Sequence, residues 1–183
     1  RPVDLHLKGL QQLGAEIELD GGYIDARAPD GLTGGHIVFP SISVGATENL
    51  LMAACLARGE TTLVNAAREP EVQDLGHCLV AMGAKIDGIG SDTITIQGVD
   101  RLHGAKHTVL PDRIETGTYA IAAAVTGGEL LLSGAELTHI ESFADALRAA
   151  GVEMVVEESG VRVAARNCRV FGVDAMTEPY PGF

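Results

Sequence analysis

The densest grouping of charge near the middle of the chain is Pro111-Asp112-Arg113-Ile114-Glu115-Thr116-Gly117-Thr118, with one cation and two acids inside four positions. Such a set can grip an anion, or it can be a solvated strand-to-helix turn, which spacing alone favours. Three other places bear chemistry. Arg1, with Asp4 and His6, stands beside a helix start and could hold a phosphate, the alternative being a solvated terminus. Ser43-Val44-Gly45 offers a hydroxyl and successive backbone N–H groups to an anion, although a Ser ahead of a helix is first of all an N-cap. Arg68-Glu69-Pro70-Glu71 puts acids in a first helical turn, where they mainly offset the dipole.

Other chemistries find no support. The six histidines are scattered; His103 and His107 are four apart but flank Gly104, and no acid or Cys completes a metal shell. Gly31–Gly35 has neither a dinucleotide fingerprint nor a P-loop Lys, and no nucleophile elbow occurs. Cys55, Cys78 and Cys168 are odd in number and lack metal spacing, which predicts reduced, packed thiols and a cytoplasmic protein. With 13 basic against 25 acidic residues the net charge is −12, and there is no Trp, so nucleic acid is not an expected partner. No run of about 18 apolar residues suggests a membrane span. The 46% hydrophobic and 21% charged composition is that of a globular protein. The chain lacks an initiator Met and stops at Pro181-Gly182-Phe183, so it is expected to be a piece of a longer protein.

The elements that must position these residues follow in order. Pro2 and Asp4 open a helix with Val3, Leu7, Leu10 and Leu13 on one face, and Gly14 caps it in a left-handed conformation. Asp20-Gly21-Gly22 joins strands at 16–19 and 23–28 into a hairpin. A strand at 37–42 precedes Ser43–Asn49, which leads into a helix at 50–57. A strand at 61–64 and a helix from Pro70 with Val72, Leu75, Leu79 and Met82 inward follow. A strand-like Thr108-Val109-Leu110 runs into Pro111, and a helix at 119–125 leaves the turn. Both the 50–57 and 119–125 helices are apolar or small all round, which predicts burial.

The pattern recurs. Leu13-Gly14-Ala15, Met82-Gly83-Ala84 and Ala150-Gly151-Val152 are spaced 69 and 68 residues apart, and Gly59-Glu60 returns as Gly128-Glu129 after 69. This predicts α/β modules of about 69 residues, with Ser43–Asn49 and Pro111–Thr118 at equivalent strand-to-helix turns.

Four blocks in order carry a resemblance: Arg1-Pro2-Val3-Asp4-Leu5-His6, Ser43-Val44-Gly45-Ala46-Thr47, Ala66-Ala67-Arg68-Glu69-Pro70-Glu71 and Leu110–Thr118. Together, over essentially all 183 residues, the chain resembles UDP-N-acetylglucosamine enolpyruvyl transferases, the 1-carboxyvinyltransferases of bacterial peptidoglycan synthesis. The resemblance implies an inside-out α/β barrel of β-α-β-α-β-β units, with 1–110 the last part of a first, catalytic domain and 111–183 the first part of a second. Pro111–Thr118 would then lie at the hinge. It implies that Arg1, Pro2, Val3, Asp4 and Leu5 contact UDP-N-acetylglucosamine, with Arg1 also near the reacting centre, and that Ser43, Val44 and Gly45 bind the diphosphate. Ser41 departs from the Lys common at that position in the family and removes one cation. No catalytic residue is expected inside the segment: the general-acid Cys should precede Arg1, the base Asp should follow Phe183, and the residues gripping phosphoenolpyruvate lie outside. The implied reaction takes UDP-N-acetylglucosamine and phosphoenolpyruvate, uses no metal or organic cofactor, and needs the remainder of the parent chain, so the isolated segment is expected to be inactive. Two other readings are a synthase acting on shikimate 3-phosphate with the same fold, and a non-catalytic repeat protein that binds a nucleotide sugar.

Overall fold

The computed structural model describes residues 2–166 and 169–182 and divides into two compact units, 1–108 and 109–183. The first unit contains α1 (Asp4–Gln12), the hairpin β1 (Glu16–Asp20) and β2 (Tyr23–Arg27), β3 (His36–Val38), α2 (Val44–Ala54), β4 (Glu60–Val64), α3 (Pro70–Ala81), β5 (Lys85–Asp87) and β6 (Thr93–Gln97). Its main sheet runs β3-β4-β6-β5, with β3 parallel to β4 and the other pairs antiparallel. Alternation on β6 turns Ile94 and Ile96 inward, where they meet Leu13, Leu50, Leu51 and Leu63. The second unit contains α4 (Arg113–Thr126), β7 (Glu129–Ser133), a 3-10 turn at Leu137–Ile140, α5 (Glu141–Ala149), β8 (Glu153–Glu157) and β9 (Gly160–Ala164). Its sheet is antiparallel in the order β7-β9-β8, over a core of Ala120, Ala123, Ala144, Val152, Val161 and Val163.

Helices α1, α3 and α5 end identically. Gly14, Gly83 and Gly151 have φ of +96°, +100° and +93°. Each glycine N–H donates to the carbonyl three residues back (Gln11, Val80, Arg148), and the next residue's N–H donates to Leu10, Leu79 or Leu147. This is the Schellman arrangement, which only a residue tolerating positive φ closes cheaply.

Helices α2 and α4 also begin alike, but earlier than the sequence suggested. The expected starts at 50 and 119 are corrected to Val44 and Arg113, because Ser43 and Asp112 are the N-caps and the segments read as turns are already helical. The Ser43 Oγ accepts from Ala46 N at 3.3 Å; the Asp112 carboxylate accepts from Ile114 N at 2.7 Å and Glu115 N at 3.2 Å. One turn on, Thr47 and Thr116 each donate a hydroxyl to the cap carbonyl at 2.8 Å.

Further expectations are corrected. No strand forms at Thr108–Leu110: the chain is irregular from Gly98 to Pro111, Val109 is 76% exposed, and the segment's N–H groups serve single contacts such as His103 N to Met82 O. The strand expected at 37–42 is His36–Val38, since Pro40 has no N–H for a ladder. On α1 the core side is Leu5, Gly9, Leu10 and Leu13, with Val3 outside the helix and exposed. Helices α2 and α4 are not buried all round. They bury Ala46, Leu50, Leu51 and Ala54, and Ala120, Ala123 and Ala124, while Met52, Ile114, Tyr119, Ile121 and Val125 stay exposed. Each helix buries one face in the core of its own unit and leaves the opposite apolar row exposed.

Candidate functional site

Helix α1 crosses α2 at close range because position 9 has no side chain. A β-carbon on Gly9 would overlap the Leu50 side chain, which is fully buried. That approach sets the first turns of the two helices side by side. The His6 ring lies over Gly45: a β-carbon built there would be 3.4 Å from His6 Cε1 and 3.6 Å from Nε2. The same ring meets Asn49, whose Nδ2 donates to His6 Nδ1 at 3.1 Å.

A third segment joins from the loop before α3. The Thr47 hydroxyl, fully buried, accepts from Ala67 N at 3.1 Å while donating to Ser43 O. Glu48, one residue on, has its carboxyl held above the ordinary value by burial first, then by the charges of Glu71 and Glu69. The N-terminal ends of α1, α2 and α3 therefore gather around the start of α2. Helix starts carry unused N–H donors and the positive end of the dipole, which favours an anion there. Of the α2 donors, Ala46 and Thr47 N–H are satisfied by Ser43, and those of Val44 and Gly45 precede the first intrahelical bond.

Pro2, Val3, Asp4 and Leu5 stand at the α1 start, and Ser43, Val44 and Gly45 at the α2 start; the two sets meet through His6 and Gly45. Arg1 lies outside the described residues. Ser41 is exposed just ahead of the cap. Glu69 departs from its expected place in the first turn of α3. It is the N-cap residue, only 8% exposed, and its Oε2 is buried with no hydrogen-bond partner among the described residues. Thr47 and Asn49 were legible in the sequence only as members of the Ser43–Asn49 segment, with no role of their own beyond standing four and six residues after the capping Ser.

The central charge cluster lies in the second unit. Its Asp112 is occupied as the α4 cap, and the Arg113 guanidinium sits 5.8 Å from the centre of the Tyr180 ring. A cavity of about 550 Å³ adjoins it, lined by Arg113, Thr118, His139 and Ser142 among others. Among the described residues, no group of three His, Cys, Asp or Glu side chains could hold a metal ion, and no helix is long and apolar enough to cross a membrane. Burial pushes the Cys55 thiol up to about 11, and it donates to Leu51 O.

The model of the EPSP synthase (3-phosphoshikimate 1-carboxyvinyltransferase) family matches residues 1–183. The chain belongs to this family. Within it, the chain is 64% identical over 184 residues to a UDP-N-acetylglucosamine 1-carboxyvinyltransferase of Rhodospirillum centenum and 63% identical over 183 residues to that of Granulibacter bethesdensis, covering all of itself and 43% of each relative. It thus spans less than half the length of the curated relatives it matches. Among solved structures it is similar to the enolpyruvyl transferase NikO of Streptomyces tendae, with TM-score 0.78 and 24% identity over 91% of this chain and 42% of that one. It is also similar to an EPSP synthase of Acinetobacter baumannii, with TM-score 0.69 and 23% identity over 97% and 42%. At those identities the family's α/β fold is what the likeness shows.

Proposed function

We propose that the protein containing this segment transfers the enolpyruvyl group of phosphoenolpyruvate to the 3-hydroxyl of UDP-N-acetylglucosamine, the committed step of peptidoglycan synthesis in the bacterial cytoplasm. The identity to transferases named for that sugar nucleotide, against 23% to an EPSP synthase, favours it over shikimate 3-phosphate. The observation that carries the site reading is the pairing of the α1 and α2 starts, which sets Pro2–Leu5 beside Ser43–Gly45. In this reading Pro2, Val3, Asp4 and Leu5, with Arg1, hold the nucleotide sugar, and the N–H groups of Val44 and Gly45 with the Ser43 turn receive the diphosphate.

The sugar hydroxyl adds to C2 of phosphoenolpyruvate while a proton is delivered to the methylene carbon. The hydroxyl proton goes to a base, and loss of phosphate with a proton from the new methyl restores the double bond. This segment serves binding; the acid, the base and the phosphoenolpyruvate grip belong to the rest of the chain, and the segment alone is inactive. The fold reading is an inside-out barrel of β-α-β-α-β-β units of about 69 residues, with 1–110 ending a first domain and 111–183 beginning a second. The like caps at Ser43 and Asp112, and the like helix ends at Gly14, Gly83 and Gly151, support it.

The test is phosphate release from phosphoenolpyruvate by the full-length parent, offered either acceptor. Release with UDP-N-acetylglucosamine alone is the expected result. Release only with shikimate 3-phosphate would overturn the substrate; none with either would favour a binding-only protein.

A further inference from the structure

His6 is half-buried between Asn49 and the first turn of α2, and its two ring nitrogens have different surroundings. With the Asn49 amide nitrogen as the donor, His6 Nδ1 is the acceptor, an arrangement that leaves Nε2 to carry the ring proton. The Cε1–Nε2 edge faces Gly45, at the first turn of α2, where the Val44 and Gly45 N–H groups stand ahead of the intrahelical ladder.

We propose that Asn49 is a positioning residue that holds His6 as its Nε2–H tautomer and aims that donor at the diphosphate over the α2 start. The inference rests on the nucleotide-sugar reading above. An N–H donor in this place adds a directed hydrogen bond where Ser41 supplies no cation. Gly45 brings the backbone close to the ring: a β-carbon there would already be in van der Waals contact with His6 Cε1 and Nε2. Asn49 touches no substrate in this arrangement and acts only through His6.

The experiment uses the full-length parent and UDP-N-acetylglucosamine, with the His6 tautomer read by long-range 1H–15N spectra and affinity by calorimetry. The wild type is expected to carry its His6 proton on Nε2. Asn49→Asp replaces the donor by an acceptor, so the proton moves to Nδ1, and Kd is expected to rise about tenfold, the loss of one directed hydrogen bond. In turnover the loss should fall mainly on KM rather than kcat, because the diphosphate is bound equally in ground and transition states. As a rescue, His6→Gln, whose amide reaches the Nε2 position, should retain more affinity than His6→Asn, whose amide reaches only the Nδ1 position. A wild-type His6 protonated on Nδ1 overturns the proposal, as does an unchanged Kd in a folded Asn49→Asp whose tautomer has switched. Failure of the wild type to bind UDP-N-acetylglucosamine would instead sink the nucleotide-sugar reading itself, and this inference with it.

Discussion

Gly9 and Leu50 are in contact at the crossing of α1 and α2, with no room between them for a β-carbon. Leu50 is fully buried, so moving it aside would disturb the core around it. Gly9→Ala should therefore lower stability by roughly 1–3 kcal/mol, as overpacking of a filled core does, and outweigh the helix propensity that Ala gains. Urea unfolding of the full-length protein measures this. The same variant should raise KM for the nucleotide sugar, because α1 moves away from the α2 start; an unchanged KM would separate packing from binding.

Thr47 and Thr116 occupy equivalent places but have different work. Each donates to its cap carbonyl, and Thr47 also accepts a backbone N–H, that of Ala67. Thr47→Val leaves that buried N–H without an acceptor and should cost about 1–3 kcal/mol. Thr116→Val should cost less, and Thr47→Ser should recover most of the loss. Equal losses at both positions would contradict the link from α2 to the segment before α3.

The Asp112 side chain receives two N–H groups of α4, and that of Ser43 receives the Ala46 N–H of α2. Asp112→Ala should cost on the order of 0.5–2 kcal/mol, with Ser43→Ala toward the lower end. The binding consequence should run the other way. Ser43→Ala is expected to raise KM for UDP-N-acetylglucosamine, which steady-state kinetics would detect.

Glu48 gives a pH dependence. Burial first, then Glu71 and Glu69, hold its folded carboxyl above its ordinary value of 4.5. The group thus favours the folded state below that value, and this contribution disappears as pH rises through the folded value. Glu48→Gln should therefore gain on the wild type as pH rises from about 4 to 7, the range in which carboxylates titrate. The gain should stay under about 1 kcal/mol because the side chain is only half-buried and solvent screens it. Paired denaturation series across that range would show the crossing; a gap that widens toward low pH would refute the sign.

Local chemistry was legible in the sequence wherever it acts through neighbours along the chain. Gly14 announced a helix end, because only glycine closes that turn without strain, Gly83 and Gly151 recurred at its period, and Asp20-Gly21-Gly22 announced the hairpin of β1 and β2. The capping role open to Ser43 could be read from its type, and the recurring blocks revealed the family. What the tertiary structure decided lies in pairs far apart in sequence. Thr108–Leu110 has the composition of a strand, but a strand needs a partner's N–H and C=O groups, and among the described residues none lies alongside it. Glu69, which the sequence marked as a first-turn acid offsetting the dipole, is the buried N-cap of α3. His6 and Asn49 are separated by 43 residues, and the sequence offers no periodicity that joins them. Their contact exists because Gly9 lets α1 close on Leu50, so the geometry of the candidate site follows from a side chain that is absent.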